Sequence, residues 1–210
     1  LILTDREISI SLDRRLITIE PRPEETAFTS SAVDLTLDPL IWIVRDPAPV
    51  PENVVDPRAT GFNAEHVMRD LSAEETISAR TGFLLPPRKL ALAWTREYIE
   101  LKTETRLAAR VEGKSSLARL GLVVHMTAPT IHAGFEGRIR LEMMNHGAVP
   151  IRLWSGMRIC QLIFETTLGT AERGYKGQFT GQTTLPNPNK QNRKVVKPRA
   201  LRPGGVPTRV

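Results

Sequence analysis

From Gly82 to Glu165 the chain is cut into short alternating runs by glycine and proline, and this cadence constrains the fold more than any other feature. Phe83-Leu84-Leu85 runs into Pro86-Pro87, and Leu90, Leu92 and Trp94 alternate on the return. Arg106–Val111, Leu122–Met126, Arg138–Asn145, Ile151–Leu153 and Met157–Glu165 follow, the last two flanking Ser155-Gly156. Apolar residues at period two in runs of this length make strands. Many short strands with few helices predict a mainly β protein, a distorted barrel or jelly roll with small helical additions. Upstream, Thr4-Asp5-Arg6-Glu7 is a capping box, with Ile8 and Leu12 following at helical spacing. Leu16–Ile19 reads as a strand ended by Pro21-Arg22-Pro23, and Ser31–Val44 is again β-rich. Arg45–Ser78, with prolines at 48, 50, 51 and 57, is a long excursion holding one short helix near Ala64–Leu71, and no chemistry is legible in it. There is no internal repeat.

The chemistry concentrates between Val111 and Glu142. Gly113-Lys114-Ser115-Ser116-Leu117-Ala118-Arg119-Leu120-Gly121 predicts a helix of one or two turns, started by a serine cap and ended by glycine. Its N-terminus would offer unpaired N–H groups to an anion, with Lys114 and Arg119 as cationic partners. The same residues also suit an ordinary capped helix with solvated charges. Further on, Ile139, Leu141 and Met143 alternate with Arg138, Arg140, Glu142 and Met144. Glu142 therefore faces away from the core, next to Arg140. It is either a surface carboxylate paired with arginine or a general base beside the anion cradle, and spacing does not separate the two.

Composition bounds the rest. Hydrophobic content of 40% and charged content of 25% suit a soluble globular domain. No apolar run is long enough to span a membrane, and no signal peptide opens the chain, so a cytoplasmic location is expected. Cys160 is the only cysteine and sits in an apolar strand pattern, which excludes an intrachain disulfide. The net charge of +6 is uneven: residues 186–210 carry seven Lys/Arg and no Asp or Glu, which leaves residues 1–185 at −1. The basic segment contains proline, asparagine and glycine without a core-forming pattern, so it reads as a solvated tail and not as a specific nucleic-acid site. The expected organisation is one domain over 1–185 and a tail over 186–210.

KSSLARLGL, VHMTA, the Gly-Phe-Glu-Gly turn, RIRLEMMN and SGMRICQLIFE together closely resemble the dCTP deaminase branch of the trimeric dUTPase superfamily. LTDREI, SAVDLTL and LALAWTREYIEL resemble the same family, so the likeness covers roughly residues 2–182 in the family's order. It implies a distorted β-barrel assembled as a homotrimer, with sites shared between neighbouring subunits. It also implies hydrolytic deamination of dCTP to dUTP and ammonia without a catalytic metal. Zinc-dependent nucleobase deaminases use a His-x-Glu and Pro-Cys-x-x-Cys pattern; one cysteine and the scattered His66, His125, His132 and His146 lack that spacing. By resemblance Mg²⁺ arrives bound to the substrate's triphosphate, and dTTP is a feedback inhibitor to consider.

Carried over by position, Glu142 takes the general base's place. Ser115 and Arg119 match residues that hold the water and offset charge, and Lys114, Ser115, Ser116, Leu117, Ala118 and Arg119 match the segment gripping the triphosphate. Arg140 and Leu141 flank the base beside the pyrimidine, while His125 and Ala128 match pocket-lining residues. Gly174–Gln182 resembles the phosphate-covering lid, about residues 172–185, with Tyr175, Gln178 and Gln182 closing over the nucleotide.

Four positions depart from the family pattern, the first being Lys114, where arginine is frequent. Gln178 stands where the lid usually has lysine, and Phe179 where it has tyrosine. His132 replaces the usual aspartate, which contacts the sugar 3′-hydroxyl and in dUTPases orients the hydrolytic water. Imidazole can still hydrogen-bond a hydroxyl, but it is a poor anionic base at phosphorus. That counts against a bifunctional deaminase–dUTPase yielding dUMP and diphosphate; a non-catalytic nucleotide-binding relative is the other alternative.

Overall fold

The computed structural model describes residues 1–46 and 54–174. Three α-helices, α1 (Asp5–Asp13), α2 (Ala64–Leu71) and α3 (Ser115–Ala118), accompany twelve strands among these residues. In chain order the strands are β1 (Ile17–Glu20), β2 (Phe28–Thr29), β3 (Ala32–Val44), β4 (Ser72–Thr76), β5 (Phe83–Leu85) and β6 (Leu90–Leu101). They continue with β7 (Leu107–Gly113), β8 (Leu122–Val123), β9 (Thr130–Ile131), β10 (Glu136–Asn145), β11 (Ile151–Leu153) and β12 (Arg158–Thr166). The main sheet runs β8-β10-β6-β3-β12-β7-β9, with β1 on β6 and both β2 and β4 on β3. It curls into a half-barrel, and β5 pairs with β11 separately. The expected mainly β architecture is therefore present, with short helices at its margins.

β3 is the spine. Its first half pairs with β12, placing Leu35 opposite Cys160, and its second half with β6, placing Ile41 opposite Ala93. The β6 register shifts between Leu37 and Ile41, around Asp38-Pro39. Proline cannot donate to a ladder, and the Leu40 N–H bonds instead to Asp38 Oδ1 at 3.0 Å. This break lets one strand serve two halves of the sheet. Inside the curl, Leu35, Leu37, Ile41, Leu141, Met143 and Phe164 are completely buried.

The opposite face of β3 and β6 is buried as well. Trp42, Leu92 and Trp94 form a second apolar cluster, with Leu40 and Met68 packed on it. Met68 comes from α2, so the excursion after β3 folds back as a roof over these rings. Double-sided burial explains why Leu90–Thr95 reads as an almost continuous apolar run.

Local expectations are met with corrections. α2 occupies Ala64–Leu71 as anticipated, its N-cap Asn63 accepting the His66 N–H at 3.0 Å. β4, within the same excursion, was not anticipated; its sequence, SAEET, lacks an alternating apolar pattern, and pairing with β3 alone makes it a strand. At α1 the Thr4 hydroxyl bonds the Glu7 carboxylate and does not cap the helix backbone.

Candidate active site

β10 divides its side chains between core and exterior as its sequence alternates. Leu141 lies in the core, whereas Arg140 and Glu142 point outward, opposite Trp94 and Leu92 of β6. Glu142 is half-buried. Burial pushes its carboxyl above the ordinary range; the Met126 N–H, His125 and Arg140 pull part of the way back. A carboxyl whose proton affinity is raised by burial yet which is supplied with a donor is suited to exchanging protons.

His125 closes one side. It is half-buried, its Nε2 lies 3.8 Å from Glu112 Oε2, and its Nδ1 is buried without a hydrogen-bond partner. A ring nitrogen in that condition is available to a polar ligand atom.

Arg140 closes the other side. Its guanidinium lies 4.6 Å from the Trp42 ring centroid and 4.7 Å from that of Trp94, two rings set edge to face at 80°. It ion-pairs with Glu65 of α2, while Nε and Nη2 are buried without partners. Burial pulls its pKa down, and Glu65 opposes that pull.

α3 contributes a separate group of side chains. Its N-cap is Lys114, without a side-chain cap, so neither Ser115 nor Ser116 plays the capping role expected of it. Lys114 Nζ donates to both carboxylate oxygens of Asp34 at 2.6 Å, which ties the cation to β3. Leu117 packs on the main core, whereas Ser115, Ser116, Ala118 and Arg119 are exposed. The side chains of Ser115, Ser116 and Arg119 have no polar partner among the described residues. After the helix, Gly121 adopts φ +92° and lies so close to Gly147 that a Cβ would overlap the Gly147 backbone.

His132 stands in the turn between β9 and β10, where its carbonyl accepts the Phe135 N–H at 3.1 Å. With Ala133, Ala108, Thr167, Ala171 and Arg173 it lines an open cleft of about 380 Å³.

The sequence model described as dCTP deaminase-like matches residues 2–167. The chain belongs to the dCTP deaminase-like family. A Methanobrevibacter smithii protein named "dCTP deaminase, dUMP-forming" is 35% identical over 204 residues, covering 96% of this chain and 94% of that protein. An Actinobacillus succinogenes protein named "dCTP deaminase" is 37% identical over 176 residues, covering 84% and 89%. The crystal structure of an Agrobacterium tumefaciens 2′-deoxycytidine 5′-triphosphate deaminase superimposes with a TM-score of 0.60 at 22% identity, and its fold agrees. That match covers 79% of this chain, which spans 48% of the Agrobacterium chain.

In this dCTP deaminase-like chain most of the expected site residues fall into two groups, with His132 in a cleft of its own. Glu142, Arg140 and His125 come together on the outer face of β10 and the segment after β8. Lys114 through Arg119 form the other group, and neither Ser115 nor Arg119 hydrogen-bonds or ion-pairs with Glu142 within the chain. Leu141 can offer a ligand only its main chain, since its side chain is wholly buried. Ala128 is exposed. Tyr175, Gln178 and Gln182 lie outside the described residues. Sequence reasoning missed Glu65, Trp42 and Trp94; the i, i+3, i+4 spacing of Glu65, Met68 and Arg69 on α2 was the signal available.

Proposed function

We propose that the protein deaminates dCTP to dUTP and ammonia, with Glu142 as general base. The observation that carries this reading is the Glu142 carboxylate: half-buried, raised in pKa by desolvation, and flanked by His125, Arg140 and the Met126 N–H. Water adds to C4 of cytosine as Glu142 takes its proton, forming the C4–O bond. The proton passes to N3, the proton of the new C4 hydroxyl goes to the amino group, and the C4–N bond breaks to release ammonia as the C4 carbonyl forms. Ser115 and Arg119 hold the water and balance charge, and Lys114–Arg119 grip the triphosphate. His125 and Ala128 line the base pocket, His132 meets the sugar, and Tyr175, Gln178 and Gln182 belong to a lid over about 172–185. The exposed, unpartnered Ser115 and Arg119 support a homotrimer in which one subunit's α3 completes its neighbour's Glu142 site.

Mg²⁺ enters this reading on the triphosphate. Among the described residues no group of three or more His, Cys, Asp or Glu is placed to hold an ion, and no step is assigned to the metal. The deamination is read as a zinc-independent hydrolysis driven by the carboxylate. The domain over 1–185, the basic tail over 186–210 and a cytoplasmic location complete the proposal, with dTTP as the feedback ligand to test. No described helix is long and apolar enough to cross a membrane.

A second reading is dCTP to dUMP and diphosphate, as the name of the Methanobrevibacter smithii relative indicates for that protein. His132, in place of an anionic residue, weighs against it here. Purified protein with dCTP and Mg²⁺, and Glu142→Gln as control, separates the readings. Accumulation of dUTP by the wild type alone supports deamination, dUMP with diphosphate supports the second reading, and bound but unconverted dCTP overturns both.

A further inference from the structure

We propose that Arg140, and Glu65 of α2 through it, are positioning residues that set the proton affinity of Glu142; this rests on Glu142 being the base. Arg140 and Glu142 are two residues apart on the same face of β10, roughly 7 Å along the strand. The Arg140 guanidinium cannot wander from that spacing. Trp42 and Trp94 hold it at 4.6 and 4.7 Å from their centroids, and Glu65 pairs with its Nη1.

Stability does not account for an arginine in this slot. Between two buried indoles an apolar side chain would pack without any desolvation cost, and replacing a buried ion pair by apolar groups is often neutral or stabilising. What the charge does is set the field at the neighbouring carboxylate. Of the groups facing Glu142, β6 supplies Leu92, and the segment after β8 supplies His125 and the Met126 N–H. β10 itself supplies Arg140, β7 supplies Glu112 by way of His125, and α2 supplies Glu65 and Arg69 around Arg140. Arg140 is the permanent cation among the direct neighbours, and Glu65 is the anion that attenuates it. The excursion before β4 thus carries a control on the base although it contributes no reacting group.

The two members of the pair act with opposite signs, which makes the idea testable. Arg140→Met removes the cation and should move the acid limb of kcat/KM for ammonia release from dCTP upward. Glu65→Gln leaves Arg140 unattenuated and should move the same limb down, while Arg140→Lys, which keeps the charge, should move it less than Arg140→Met does. Glu65→Gln keeps a side-chain oxygen that can accept from Arg140, so the guanidinium is not left without a partner. A ¹³C-carboxyl titration of Glu142 by NMR, assigned with Glu142→Gln, reads the same midpoints without turnover. Absence of wild-type turnover would defeat the base assignment alone, because the titration still decides the Arg140 role. Unmoved midpoints, or shifts of the same sign in Arg140→Met and Glu65→Gln, would overturn it.

Discussion

Lys114 reaches 80 residues back along the chain to set its Nζ 2.6 Å from both carboxylate oxygens of Asp34. Asp34 is 5% exposed, and its other neighbouring cation, Arg158, lies 3.9 Å away. The entry into α3 is therefore held against the spine of the sheet. Removing one partner of such a pair strands the other. Asp34→Asn should cost about 3 kcal/mol in a urea melt, and adding Lys114→Met should recover part of that loss, since the stranded cation is then gone. If the double variant is no more stable than the single one, the pair is not what anchors α3.

Glu142 should leave a mark on stability as well as on rate. Its carboxyl titrates above the ordinary range because burial disfavours the anion, so the folded state binds that proton more tightly than the unfolded chain. The resulting stabilisation is fully present below the ordinary carboxylate range and is lost as pH rises through the raised value. At pH 7 the ionised side chain is thus a cost. Glu142→Gln should raise Tm by about 2 °C at pH 7, with the advantage shrinking on acidification. An equal gain at pH 4 and pH 7, measured by calorimetry, would contradict the desolvation argument.

The close approach of Gly121 and Gly147 joins the end of α3 to the turn after β10. A Cβ on Gly121 would collide with the Gly147 backbone, and φ is +92° there. Gly121→Ala should destabilise the protein by about 2 kcal/mol or more. Ala substitution at Gly61, where φ is +82° but nothing lies within 4 Å of an added Cβ, should cost less. Chemical denaturation of the two variants side by side tests whether contact or conformation dominates.

Cys160 is completely buried, and burial with the nearby Glu97 and Asp34 carboxylates pushes its thiol far up. The thiolate is the reactive form. Native protein should therefore resist a thiol reagent such as dithiobis-nitrobenzoate at pH 8, and one equivalent should react on denaturation. Rapid labelling of the native state would show that β12 opens readily.

Much of this architecture was legible in the sequence because it is local. Residues 138–144 alternate cleanly, and the strand, its buried face and the outward Glu142 all follow from period two. The same logic failed at Trp42 and Trp94, since a period-two reading allots one core face per strand and β3 and β6 bury both. Glu65 was invisible for a different reason: its partner Arg140 is 75 residues away and meets it only once α2 folds back over the sheet. Lys114 looked like an open cation because nothing nearby in sequence announces Asp34. Long-range pairs of this kind carry no periodicity, and only the assembled sheet brings them together.

β12 lies between β3 and β7 in the sheet, and residues 158–166 hydrogen-bond to both. During synthesis this is the last described strand to leave the ribosome. Until it emerges, β3 and β7 each present an open row of backbone donors and acceptors, and the core lacks Phe164. The sheet therefore cannot join its two halves progressively behind the growing chain. It waits, nearly complete and adhesive at two edges, for one wedge-like strand, and the interval before that strand arrives is when a nascent copy is most exposed to pairing with the wrong neighbour.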